Sequence, residues 1–400
     1  MRLLMVAMQF PVEPGQSYLT TELADALVAA GHEVEVLHLD WSAAPGGPTR
    51  TFFTDSGVRV VRCAPRALGG PGLLYHASKF VLSGRRAARV AWRHFDLESF
   101  DALIAWMPAM AIAPLLPLIR RARVRHRLLF IWDFFPDHHR EIGRIPGGLP
   151  FRIAWWWEQR EMNRFTAIVC TLPGNEAYLR AHYCVRPDQR VLVTPVWADT
   201  KPLPPVDRVA IRRQYDLPSD APIAVFGGQL VEGRGFDQML SAAEAGHAAG
   251  SPLRYLFVGD GRLAPMIRDR AARATNVLYR PPVPRADYLK LLGACDVGMV
   301  ATVPGVTSFS IPSKTIDYLR AGLPVVAAVE HGSDFPAILE GYRVGRTVSF
   351  NDPGGFHRTA ELLATDPTIR DEVRTNAPRC LDEVFDVRHA VATIEAATRP

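Results

Sequence analysis

The chain has 400 residues, 48% of them hydrophobic and 22% charged, with a formal net charge of +5. That length exceeds one ordinary core and predicts two domains, and the balance of apolar and charged residues excludes long disorder. The whole of the cationic excess lies in the first half, so an anionic partner is expected there.

The opening Met1-Arg2-Leu3-Leu4-Met5-Val6-Ala7-Met8 is apolar but runs into Phe10-Pro11-Val12-Glu13 without a small-residue cleavage site, which reads as a buried strand and not a signal peptide. Amphipathic helical periodicity follows over residues 18–30, with Gly31 as its stop, and a second strand is predicted at residues 33–39. Further strands are predicted at residues 58–62, 102–106, 128–132, 167–170 and 191–194. The apolar run from Met107 to Ile119 is shorter than the roughly 20 residues needed to cross a bilayer and carries Pro108, Pro114 and Pro117. Cys63, Cys170, Cys184, Cys295 and Cys380 are odd in number and lack metal-site spacing; they read as small buried hydrophobes in a reducing compartment.

The polar, proline-rich stretch Ala198-Asp199-Thr200-Lys201-Pro202-Leu203-Pro204-Pro205 interrupts the alternation and reads as a linker. Strand and helix signals then resume: strands at residues 223–226, 254–258, 277–279, 297–300 and 325–328, with helices at 236–249, 287–294 and 314–320. The expected architecture is α/β, with two Rossmann-like doubly wound domains facing across a cleft. The boundaries are 1–198 for the first domain, 199–222 for the linker, 223–384 for the second domain, and 385–400 for a helix returning toward the first domain.

Two segments carry candidate chemistry. Ala224-Val225-Phe226-Gly227-Gly228-Gln229 runs off a strand into Leu230-Val231-Glu232-Gly233-Arg234-Gly235, so four glycines fall within nine residues ahead of a helix. Glycine permits close backbone approach to a ligand, and the helix presents unpaired N–H groups to an anion. Arg234 stands where a guanidinium could grip a diphosphate; an ordinary strand-to-helix turn with a solvated arginine is the alternative. The second segment runs Thr307-Ser308-Phe309-Ser310-Ile311-Pro312-Ser313-Lys314-Thr315-Ile316-Asp317 and on to Gly322-Leu323-Pro324. Its hydroxyls could hold phosphate or sugar and Asp317 could accept ribose hydroxyls, whereas helix capping by Ser310 and Ser313 is the structural alternative.

Together with the loop from Pro11 to Gly15, Gly31-His32-Glu33-Val34, Val258-Gly259-Asp260-Gly261 and Cys295-Asp296-Val297, these segments occur in an order that resembles the retaining family 4 glycosyltransferases of GT-B fold. Ile131-Trp132-Asp133-Phe134-Phe135-Pro136-Asp137 resembles the bacterial branch that builds O-antigen, capsule and exopolysaccharide. The resemblance implies transfer of a hexosyl or N-acetylhexosaminyl group from an NDP-sugar, expected to be UDP-linked, to a lipid-linked glycan precursor. It assigns the donor site to Gly15, Gly228, Gln229, Arg234, Gly259, Val283, Ser310, Ser313, Lys314 and Asp317. Two departures stand out: Gln229 replaces a family cation, and Phe309 replaces the first of two family glutamates, the second being Asp317.

Arg234 and Lys314 are the expected stabilisers of the leaving diphosphate, and no Asp-x-Asp pair occurs, so no metal or other cofactor is expected. Asp133 and His138, with Asp137 and His139 beside them, are candidates for orienting the acceptor hydroxyl. Residues 76–93, 120–127 and 151–157 mix cations with aromatic and aliphatic residues, which suggests peripheral contact of a cytoplasmic enzyme with the anionic inner face of a membrane. A soluble acceptor such as an antibiotic core, a silent scaffold and an NDP-sugar epimerase are the competing readings; nucleic acid is not an expected partner.

Overall fold

In a computed structural model the described residues are 1–11, 18–68, 73–305, 311–329 and 334–399, with the side chains of Leu73, Leu74, His76 and Ala77 excluded. The chain divides into two units, Met1–Ala198 with Val387–Pro400, and Asp199–Asp386.

The first unit holds an eight-stranded sheet: β1 (Arg2–Ala7), β2 (Glu33–Leu39), β3 (Arg50–Phe53), β4 (Arg59–Cys63), β5 (Ala102–Trp106), β6 (His126–Ile131), β7 (Ala167–Cys170) and β8 (Arg190–Val193), in the order β3-β4-β2-β1-β5-β6-β7-β8. All pairings are parallel except β3 with β4. The central strands are apolar on both faces because helices cover both; β5 is buried at every position. Leu23 and Leu27 of the helix Leu19–Ala29 pack in one core with Ala390, Val391 and Ile394 of the helix Val387–Thr398. His32 Nε2 lies 3.1 Å from Glu395 Oε1, and Arg190 Nη1 donates to the Ala396 carbonyl at 2.9 Å.

The second unit holds β9 (Ile223–Gly227), β10 (Arg254–Val258), β11 (Val277–Arg280), β12 (Val297–Ala301), β13 (Val325–Ala328) and β14 (Gly345–Val348) in the order β11-β10-β9-β12-β13-β14, all parallel. Strand order reverses between β9 and β12, and such a switch opens a crevice beyond the carboxyl ends of its strands. Residues 227–235 leave the sheet at that point.

The expected linker at 199–222 is only partly irregular. Its second half forms the helix Arg208–Gln214, which Asp207 caps by accepting from Ala210 N at 3.0 Å. Arg212 of that helix is buried and donates to Asp296 Oδ2 at 2.9 Å, so this segment is part of the second unit's body. No helix among the described residues is long and apolar enough to cross a membrane.

Candidate functional site

The segment after β9 is zipped to the segment after β10 by backbone hydrogen bonds. Gly228 N donates to the Val258 carbonyl at 3.0 Å, Leu230 N to Asp260 O at 2.8 Å, and Leu263 N to Leu230 O at 2.9 Å. The Leu230 side chain is fully buried, which anchors the loop by roughly 1.5–3 kcal/mol. Gly259, at φ +147°, has no substitute: a Cβ there would lie 1.9 Å from the Gly228 carbonyl oxygen. Gly235, in the left-handed region, starts the helix Phe236–Ala248, and a Cβ on it would strike Ala301.

On this frame Gly228, Gln229 and Arg234 are exposed while Leu230, Gly235 and Phe236 are buried, so the polar atoms of the loop face outward. The Phe236 ring packs edge-on against Phe226 at 4.9 Å. The Lys314 ammonium sits over the Phe226 face, 3.5 Å from its centroid. Burial, reinforced by the positive charge of Arg234, pushes the Lys314 ammonium well below the usual lysine range. Arg234 is thus within electrostatic reach of Lys314, and neither is in an ion pair with a carboxylate among the described residues.

Lys314 owes its position to the helix Lys314–Arg320, whose Thr315, Ile316, Asp317, Tyr318 and Leu319 are buried. Tyr318 Oη accepts from Gly227 N at 3.3 Å and donates to the Met299 carbonyl at 3.4 Å, tying the helix to β9 and β12. Gly298 makes room for this ring. Asp317, one turn after Lys314, is gripped by Arg285: Nη1 donates to Oδ2 and Nη2 to Oδ1, both at 2.6 Å. Each carboxylate oxygen keeps a lone pair beyond that fork. Ser313 is exposed and makes no cap bond, so its hydroxyl is not spent on the helix. Val283 is half-buried, two residues ahead of Arg285. Gly15, Phe309 and Ser310 lie outside the described residues.

In the first unit, Asp133 is exposed and His138 half-buried just beyond β6. Asp137, by contrast, is a structural group: it is buried, accepts from Tyr183 Oη at 2.5 Å and lies 3.6 Å from Arg140. His139 packs edge-on against Phe135 at 5.1 Å, and burial pushes its imidazole down to about 4, with the His138 ring adding to the effect. It is neutral at pH 7.

The basic stretches take different places. In the helix Leu73–His94, Ala87, Ala88, Val90 and Ala91 are buried in the core, so its apolar side is not available to lipid; Arg85, Arg89, Trp92 and Arg93 face out. Residues 120–127 are split between a helix end, a turn and β6. The helix Leu149–Met162 instead exposes Leu149, Ile153 and Trp156, at 68%, 55% and 60%, in i, i+4, i+7 spacing, with Arg152 and Arg160 also exposed.

Arg285, Phe226 and Tyr318 join the site although sequence reasoning does not single them out. Arg285 has no sequence signal, whereas Tyr318 stands beside Asp317 and Phe226 immediately precedes the glycine segment.

Residues 15–197 match the family described as glycosyl transferase 4-like domain, and residues 221–366 match glycosyl transferases group 1. A protein of Escherichia coli (strain K12) described as a putative colanic acid biosynthesis glycosyl transferase, WcaI, is 23% identical over 344 residues, covering 80% of this chain and 81% of that one. Among solved structures, WaaG, a glycosyltransferase involved in lipopolysaccharide biosynthesis, superposes with a TM-score of 0.67 at 13% identity over 99% of this chain and 98% of that one. Anabaena HepE in complex with UDP gives 0.66 at 15% identity over 99% and 100%. The two domain matches between them span most of the chain and each falls within one of its two parallel-sheet units, so the chain belongs to the glycosyltransferases of GT-B fold.

Proposed function

We propose that this glycosyltransferase moves a hexosyl or N-acetylhexosaminyl group from a UDP-sugar to a lipid-linked glycan precursor, with retention of anomeric configuration. The observation that carries the reading is the juxtaposition of Arg234 and Lys314, two cations without carboxylate partners among the described residues, beside a glycine-framed loop and the start of a long helix. Departure of a nucleoside diphosphate builds negative charge, and fixed cations aimed at it stabilise that charge. Arg234 and Lys314 take this role, and two such cations supply what a metal bridge would otherwise supply.

Gly228, Gln229 and Gly259 border the diphosphate, and Ser313 offers its hydroxyl. Asp317 accepts ribose hydroxyls through its remaining lone pairs, and Val283 borders the base. Gly15 and Ser310 complete the donor set. Asp133 and His138 orient the acceptor hydroxyl, while the leaving phosphate takes its proton. The neighbouring UDP complex supports a UDP donor, and the polysaccharide assignments of the relatives support a glycan acceptor.

The exposed Leu149, Ile153 and Trp156 face, with arginines beside it, supports peripheral contact with an anionic membrane from the cytoplasmic side. Flotation with phosphatidylglycerol vesicles tests this contact, and Trp156→Ser should reduce it. Failure of the wild-type chain to float at moderate salt would remove the membrane from the proposal.

A melting-temperature panel of UDP, GDP, ADP and dTDP tests the donor assignment, because a ligand of the native state raises the transition. UDP is expected to act most strongly. No shift with any nucleotide would overturn the site. Product analysis with UDP-sugars and a prenyl-diphosphate-linked acceptor then separates transfer from epimerisation, which needs no acceptor.

A further inference from the structure

We propose that the second unit carries a separate site for a small phosphorylated metabolite, on the edge of its sheet opposite the donor loops. A cavity of about 490 Å³ lies there, within the size range of small-molecule pockets. It is reached from the amino ends of β12 and β13: Cys295 and Asp296 precede β12, and Leu323 precedes β13. Pro202, Pro204 and Leu203 of the connecting segment form one wall, with Leu289 and Leu381 among the apolar residues elsewhere in the lining.

Four arginines, Arg208, Arg320, Arg370 and Arg374, share the lining with a single carboxylate, Asp296. That carboxylate is already saturated. It accepts from Arg208 Nη2 at 2.7 Å, from Arg212 Nη2 at 2.9 Å and from Ile223 N at 2.9 Å. Arg370 comes no closer to it than 3.7 Å and makes no side-chain hydrogen bond among the described residues, although its side chain is only 28% exposed. Arg374 spends one N–H on Asp371 at 3.2 Å, and its stem lies over Gly322, where a Cβ would stand 3.2 Å from Arg374 Cγ. Arg320 is largely buried and uses Nε on the Lys201 carbonyl at 2.9 Å, with Asp199 farther off at 3.4 Å.

Three guanidinium groups thus bring unused N–H donors to one partly apolar cavity. A guanidinium fork matches the oxygens of a phosphate monoester, and several forks converging on one dianion give charge-assisted bonds that a neutral polyol cannot make. The apolar wall suits the carbon skeleton of a small organophosphate.

The cavity is also connected to the donor site. The helix Lys314–Arg320 carries Lys314 at its start, Asp317 at its middle and Arg320 at its end, about 9 Å from Lys314 along the axis. Arg320 and Arg374 would each be drawn toward a bound dianion. By linkage, any change in UDP affinity caused by the metabolite is matched by an equal change in metabolite affinity caused by UDP.

The test uses the full chain and glycerol 3-phosphate as probe, with glycerol as its uncharged counterpart. Calorimetric titration and melting temperature are followed in the wild type, in Arg370→Gln/Arg374→Gln, and in Arg234→Ala. Glycerol 3-phosphate at millimolar concentration is expected to bind and raise the melting temperature, and glycerol is not. The double variant should bind about tenfold more weakly or worse, and Arg234→Ala should bind as the wild type does. Arg374→Glu, on an exposed helix position, repeats the test should the double variant fail to fold. Absence of binding to the wild type overturns the proposal. So does binding that survives the cavity variants but is lost in Arg234→Ala, because the anion would then be in the donor site.

Discussion

The ammonium of Lys314 lies 3.5 Å from the centroid of the Phe226 ring, so this half-buried cation is held by a π face and by no carboxylate among the described residues. A desolvated charge held in this way costs stability until an anion arrives.

That cost has a measurable proton signature. The Lys314 ammonium titrates well below its ordinary value in the free protein, and a bound diphosphate favours the charged form. In the window between the depressed and the restored values the complex holds more protons than the free chain. UDP binding should therefore take up protons, and affinity should fall as pH rises through that window. Calorimetry in buffers of different ionisation enthalpy reads the uptake directly. Lys314→Met should abolish it, weaken UDP binding by about tenfold or more, and raise the melting temperature of the ligand-free protein.

Arg234 is exposed and makes no ion pair among the described residues, so its removal leaves the fold intact. Arg234→Ala should lower turnover by roughly 10²-fold, the scale for losing one fixed donor to a developing anion. Steady-state kinetics beside an unchanged melting curve checks this, and near-wild-type turnover would take Arg234 out of the mechanism.

Two glycine substitutions separate backbone strain from collision. Gly31 has φ +85° and open space within 4 Å of the point a Cβ would occupy, so Gly31→Ala should cost about 1 kcal/mol of stability and spare activity. Gly259→Ala adds a collision with the Gly228 carbonyl and must part the two loops. Its nucleotide binding should fall far more than its denaturant midpoint. Equal losses in both variants would show that the loop pairing has no special bearing on the donor site.

Acid should loosen the first unit through His38. Burial is the main reason its imidazole is pushed down from 6.5 to about 4; Arg62 acts in the same direction and Asp40 against it. Between those values the unfolded chain binds a proton that the folded chain refuses. The stability is therefore fully present above pH 6.5 and is lost as pH falls through 4, up to about 3 kcal/mol from this group. His139 is shifted in the same sense. His38→Gln should flatten the denaturant-stability profile across this window, and an unchanged slope would absolve His38.

The repeating strands and helices are legible because buried parallel strands read as apolar runs bounded by turn residues; residues 33–39, 102–106, 167–170, 254–258 and 325–328 match the observed strands end to end. The two strands without a sequence signal are β3 and β14, both at sheet edges. Arg50-Thr51-Phe52-Phe53 is mostly exposed, and Gly345-Arg346-Thr347-Val348 has little apolar content, so neither shows the pattern of a buried strand. In the site, glycine spacing points to the loop because backbone geometry is written into residue type. The Arg285 fork on Asp317 is invisible in sequence: it joins residues 32 apart that only the fold brings together. The same holds for the apolar side of residues 76–93, where sequence shows an amphipathic helix but not whether core or lipid receives its apolar side.

The helix Val387–Thr398 has a consequence for biogenesis. It completes the core of the first unit with Ala390, Val391 and Ile394, although the whole second unit is translated before it. During vectorial synthesis the first unit must wait with an uncovered apolar groove against Leu23 and Leu27 while the second unit emerges and folds. The unit begun first is thus the last to be sealed, and a chaperone that shields this groove on the nascent chain would act at the stage when the protein is most exposed to aggregation.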